Sequence, residues 1–86
     1  MARANKLLDQ ILRGNADANI PFSGMLQLLK RPGFQERIKG DHHIFFRDGV
    51  AEIINLQPRS GKCKPYQVKQ VRNVIIAYRL AGEVDV

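Results

Sequence analysis

Tryptophan is absent from the 86 residues, cysteine occurs once and histidine twice, and no apolar run exceeds a few residues. Each shortage closes a class of protein. A lone cysteine, Cys63, cannot form an intramolecular disulfide, which excludes a disulfide-stapled scaffold. It lies between two lysines, in no catalytic context, and reads as incidental. Two adjacent histidines whose side chains diverge, with no third histidine or flanking cysteine, offer no closed set of metal ligands. The apolar runs fall far below the ~20 residues that a bilayer span requires. Residues 1–5 have no signal-peptide core behind them, and the expected location is the reducing cytoplasm. Ser60-Gly61-Lys62 is too short for a P-loop, and neither Ser23 nor Ser60 lies in a nucleophile-elbow context. No cofactor is implied. With only 7% aromatics, the core must come mainly from Leu, Ile and Val. Stability on the order of 5 kcal/mol or less is expected for so small a core, and a partner chain would add to it.

Acid is the other scarcity. Between Ile53 and Gly82 there is no Asp or Glu, yet six basic residues fall there: Arg59, Lys62, Lys64, Lys69, Arg72 and Arg79. The whole chain carries a net charge of +6 with a sequence pI of about 10.0. A solvated face usually mixes signs, so this segregation favours a polyanionic partner, with nucleic acid the default.

Length allows one small domain over residues 1–86. A helix is predicted over residues 2–13, with Leu7, Leu8, Ile11 and Leu12 as its apolar stripe and Gly14 as its stop. A loop over 15–20 leads to a second helix over 21–30, with Phe22, Met25, Leu26 and Leu29 on one face. Arg31-Pro32-Gly33 ends that helix. Three strands follow, over 34–39, 42–47 and 50–57, the first pair joined at Gly40-Asp41 and the second at Asp48-Gly49. A basic loop over 58–64 precedes a last helix over 65–80, which buries Val68, Val71, Val74, Ile75 and Tyr78 and carries Lys69, Arg72 and Arg79 on one flank. The expected fold is therefore an α+β sandwich of two layers, with one sheet face under the helices and the other open.

The segment GDHHIFF, starting at Gly40, places both histidines at the head of the second strand. Side chains alternate there, so His42, Ile44 and Phe46 share one face and His43, Phe45 and Arg47 the other. Because the second set ends in a charge, Ile44 and Phe46 are expected in the core, with His43 and Arg47 on the open face. Arginine holds phosphate, and imidazole moves protons near neutral pH. A ribonuclease of this kind needs a base for the 2′-hydroxyl, an acid for the leaving 5′-oxygen and a cation for the charge on phosphorus. Histidines at a strand start also serve as plain structural residues, and residue chemistry alone leaves both roles open.

In this order, LLKRPGF, a strand, GDHHIFF, a hairpin, INLQP, a Gly/Lys loop and KPYQVKQVRNVI, the chain resembles the HicA toxins of bacterial type II toxin–antitoxin systems over residues 20–80. The resemblance implies a double-stranded-RNA-binding-domain-like α-β-β-β-α core, with residues 1–14 an added N-terminal helix. It implies a metal-independent mRNA interferase that inhibits translation, silenced by a HicB-like antitoxin. The family's Gly-Ser-x-His signature reads Gly40-Asp41-His42-His43 here, so its functional histidine matches His43. Two positions depart from the pattern. Asp41 replaces the serine, and Gln57 stands where many members carry a second histidine, which leaves the second proton-transfer group open.

Three functions follow from this reading. The first is an endoribonuclease with His43 as general acid or base, with Lys39, Arg47, Lys62 and Lys64 on the RNA backbone and Lys69 and Arg72 extending the positive surface. The second is a non-catalytic RNA-binding module of the same fold. The third is an interaction subunit whose basic face meets an acidic protein.

Overall fold

A computed structural model describes residues 4–84. Residues 2 and 3 of the predicted first helix lie outside them. Helix α1 (Ala4–Arg13) buries Leu8 and Ile11 and half-buries Leu7 and Leu12. It ends at Gly14, whose φ of 73° is readily available to glycine. A single 3₁₀ turn (Asp17–Asn19) occupies the expected loop. Helix α2 (Phe22–Lys30) starts after Pro21 and buries Phe22, Met25, Leu28 and Leu29. Leu28 thus takes the place expected for Leu26, which is only half-buried. Gly24 allows a close approach between α1 and α2, since a Cβ there would lie 3.1 Å from Leu7 Cδ2.

Strands β1 (Gln35–Lys39), β2 (His42–Phe46) and β3 (Ile54–Leu56) form one antiparallel sheet in the order β1-β2-β3. The first hairpin runs from Gln35 opposite Phe46 to Lys39 opposite His42 and turns at Gly40-Asp41. The second pairing sets Phe45 opposite Ile54 and His43 opposite Leu56. The third strand is shorter than predicted. A turn closes at Asp48-Gly49, where the Val50 N–H donates to Arg47 O at 3.1 Å, but pairing resumes only at Ile54. The side chain of Glu52 accepts from Tyr78 Oη at 2.7 Å and the Ala51 N–H donates to that same hydroxyl at 3.2 Å, which ties the intervening loop to the last long helix.

That helix, α3 (Pro65–Ala77), buries Gln67, Val68, Val71, Val74 and Ile75, and Tyr78 is half-buried. It stops earlier than the predicted residue 80. Arg79 adopts a positive φ of 54°, and a short helix α4 (Ala81–Val84) then returns Leu80 and Val84 to the core. The loop before α3 is pinned to the start of α2: Cys63 N–H donates to Ile20 O at 2.9 Å and Phe22 N–H to Gly61 O at 3.0 Å. Cys63 is buried, and burial pushes its thiol up to about 11. The result is a small α+β fold with helices over one face of a three-stranded antiparallel sheet.

The sheet's orientation corrects the sequence expectation. Phe45 is fully buried, and its cross-strand neighbour Ile54 is buried with it. His43, Phe45 and Arg47 therefore line the covered face, and His42, Ile44 and Phe46 lie half-buried on the open one. The expectation failed because it took Arg47 as a marker of solvent. Arg47 sits at the margin of the covered face with its Nη1 buried, and the Glu83 carboxylate of α4 lies 3.2 Å from that nitrogen, so the charge is balanced by an ion pair without a hydrogen bond. Truncating Phe45 to Ala should cost about 3–5 kcal/mol, as for a large core side chain. Phe46→Ala should cost far less, and urea denaturation of the two variants measures the difference.

Candidate functional site

His43 lies near the end of the covered face, between the fully buried Leu56 on β3 and the exposed edge strand β1. Its directly opposite neighbour on β1, Ile38, is 60% exposed. Its diagonal neighbour is Glu36, and such cross-strand diagonals are within reach of long side chains. The His43 Nδ1 and the Glu36 Oε2 are 2.6 Å apart. Lys30, from the end of α2, holds the other carboxylate oxygen at 3.3 Å. The Phe22 ring meets the imidazole edge-on, with centroids 5.1 Å apart and planes at 76°. These contacts leave the His43 side chain 19% exposed.

The hydrogen bond from His43, more than any other contact, holds the Glu36 carboxyl below its ordinary value; Lys30 adds to it and burial opposes it. An ionised carboxylate only accepts. The bonded Nδ1 must then carry a proton, and Nε2 is the nitrogen left to exchange one with a substrate. Neither Glu36 nor Lys30 was singled out by sequence. Alternation along β1 puts Glu36 and Ile38 on one face, but nothing local shows that this face meets His43.

His42 occupies a separate setting on the open face. Its Nδ1 lies 3.0 Å from Asn55 Oδ1, and its Nε2 lies 3.7 Å from Asp41 Oδ1. Gln57 Nε2 donates to Asp41 Oδ2 at 3.0 Å, and this bond is the main reason the Asp41 carboxyl sits below its ordinary value. Gln57 Oε1 accepts from Lys64 Nζ at 2.8 Å. Asp41 and Gln57 are thus bonded to each other, and Asp41 lies beside His42, not His43.

The basic residues divide into two groups. Lys39 shares the open face with Arg37, two residues earlier, and lies opposite His42. Lys64 reaches the same end of the sheet through Gln57, Lys62 donates to Asn19 Oδ1 at 3.2 Å, and Lys69 is exposed on α3. Arg72 is tied inward: its Nη1 donates to Asp17 Oδ1 at 2.9 Å and to Ile11 O at 3.0 Å, and its Nη2 to Asp17 Oδ2 at 3.2 Å. Arg47 is likewise held by Glu83. The structure therefore sets Lys39 on one side of His42 and Lys64, through Gln57, on the other, and makes Arg47 and Arg72 joints of the fold. Arg37 and Asn55 are the open-face residues that sequence reasoning missed, although the alternation of Arg37 with Lys39 was a usable signal.

Among the described residues, no helix is long and apolar enough to cross a membrane, and no group of three or more His, Cys, Asp or Glu could hold a metal ion. No family model matches the chain, and neither a curated protein nor a solved structure does.

Two outcomes check this layout. Because the Glu36 pKa is lowered on folding, its contribution to stability is full above the ordinary glutamate value of about 4.3 and is lost as pH falls through the folded value. Urea midpoints between about pH 2 and 7 should therefore rise more for the wild type than for Glu36→Gln. Arg72→Leu should lose about 2 kcal/mol, the scale of a charged hydrogen-bonded contact. Lys69→Ala should stay within about 0.5 kcal/mol of the wild type in the same assay.

Proposed function

We propose that this chain is an RNA-cleaving protein in which His43 moves the proton of a 2′-hydroxyl. Its core from α2 to α3 runs helix, three antiparallel strands, helix, an order that fits a double-stranded-RNA-binding-domain-like fold with α1 added. Together with the ordered motifs of residues 20–80, this order supports reading the chain as a HicA-type toxin, an mRNA interferase restrained by a HicB-like antitoxin. The observation that carries the reading is the 2.6 Å contact between His43 Nδ1 and Glu36 Oε2. A carboxylate behind an imidazole fixes its tautomer and stabilises the imidazolium that forms when the far nitrogen takes a proton.

In this scheme Nε2 accepts the 2′-hydroxyl proton as O2′ attacks phosphorus. The P–O5′ bond breaks, and the 5′-oxygen leaves with a proton from water. The products are a 2′,3′-cyclic phosphate and a 5′-hydroxyl, and His43 returns its proton to solvent. Glu36 acts here as a positioning residue. Lys30, more than half exposed beside the pair, supplies positive charge for the phosphate. Lys39, Lys62, Lys64 and Lys69 add contacts to the RNA backbone, which bring affinity with little sequence choice.

One observation favours a second reading. The His43 ring is packed against Phe22 and is only 19% exposed. A histidine so placed also serves as one half of a structural ion pair, in a protein that binds RNA without cutting it. The experiment is incubation of labelled mRNA with the wild type, His43→Ala, Glu36→Gln and His42→Ala in the presence of EDTA. The interferase reading expects cyclic-phosphate product from the wild type, a loss of about 10²–10⁴-fold in His43→Ala, and about 10–100-fold in Glu36→Gln with an altered pH profile. His42→Ala should keep most activity. RNA bound by a folded wild type without cleavage would establish the binding-module reading instead.

A further inference from the structure

A second feature lies across the strand from His43. Between β3 and the start of α3 there is a depression of about 220 Å³, floored by Asn55 and Gln57 and walled by Tyr66, Gln67 and Gln70. His42 and Ile53 complete its rim. Its volume is below the ~300–1,000 Å³ of pockets for drug-sized ligands, which suits one small planar group. Tyr66 and Ile53 stand over it 67% and 62% exposed, with no part in the core. An exposed tyrosine beside a small polar pocket is the arrangement on which unpaired bases stack.

The amides lining the pocket show which atoms remain for a ligand. Asn55 gives its Oδ1 to His42, so its NH₂ is the end left over. Gln67, a polar side chain only 2% exposed, gives its Oε1 to the Lys64 N–H at 3.3 Å, so its NH₂ is left over too. Gln70 uses its Nε2 on Ile53 O at 3.4 Å, which leaves its Oε1 as an acceptor. Gln57 is bonded at both ends, by Asp41 and Lys64, and serves as a wall. The groups that carry no bond at all are the NH₂ of Asn55, the NH₂ of Gln67 and the Oε1 of Gln70. Guanine and uracil present a carbonyl acceptor next to a ring N–H donor, whereas adenine and cytosine present an exocyclic NH₂ at the corresponding place, where it would meet the donors.

We propose that this pocket binds one unpaired keto base, guanine or uracil, of a single-stranded RNA, stacked on Tyr66 and read by Asn55, Gln67 and Gln70. The proposal rests on RNA as the ligand and adds a source of sequence choice that the backbone-binding lysines lack. His42 points into the pocket and His43 to the opposite face, so the base read here belongs to a nucleotide other than the one being cut.

The test needs no cleavage, so it can fail while the ribonuclease reading stands, and the reverse. Isotope-labelled protein is titrated with GMP, UMP, AMP, CMP and ribose 5-phosphate, and amide and side-chain NH₂ signals are followed by NMR. GMP or UMP should shift Asn55, Tyr66, Gln67 and Gln70 and bind at least several-fold more tightly than AMP or CMP. Tyr66→Ala, an exposed position whose loss spares the core, should weaken that binding about tenfold, and Ile38→Ala, exposed on β1 beside His43, should leave it unchanged. Equal shifts from ribose 5-phosphate, equal binding of all four nucleotides, or no shifts at these residues would overturn the proposal.

Discussion

Burial of Phe45 beneath the helices decides the side of the sheet on which every residue of the central strand must lie. Side chains alternate with a period of two, so one buried position assigns all the others. Ile54 across the β3 pairing is buried on the same side, and the Gly40-Asp41 turn locks β1 to β2 in a register that puts Glu36 opposite Phe45. From that constraint follow the meeting of His43 with Glu36 and the turning of His42 toward Asn55. Two histidines one bond apart in sequence end in unrelated surroundings, one against a carboxylate and an aromatic ring, the other among amides.

The covered face tolerates two charged residues because each is met at its margin. Glu36 is held between His43 and Lys30, and Arg47 by Glu83. Breaking either pair would leave a partly desolvated charge, which is more costly than never having placed one there. The same economy narrows the basic surface. Arg72 joins α3 to the turn at Asp17 and to the end of α1, so it holds helices together. The exposed positive charge around the open face and the loop before α3 includes Arg37, Lys39, Arg59 and Lys62.

The proposed chemistry and the proposed base pocket share strand β2 as a partition. A carboxylate-backed imidazole lies on one side, and a donor-lined depression on the other. Asp41 and Gln57 lie on the side of His42, bonded to each other, with Gln57 bonded also to Lys64. Neither takes part in the His43–Glu36 contact.

The sequence by itself determined the elements whose causes are local. The stripes of α1 and α3, Pro21 at the head of α2, Gly14 and Gly33 as stops, and the hairpin at Gly40-Asp41 all follow from periodicity and backbone freedom within a few residues. It also carried the order helix, helix, three strands, helix, and hence the α+β class. What only the tertiary structure decided was which of two equally patterned faces of β2 is buried, because His-Ile-Phe and His-Phe-Arg differ by a charge whose partner, Glu83, lies at the far end of the chain. The late start of β3 and the role of Arg72 were hidden for the same reason. Each depends on a contact between residues distant in sequence, and alternation along a strand or helix contains no record of what will pack against it.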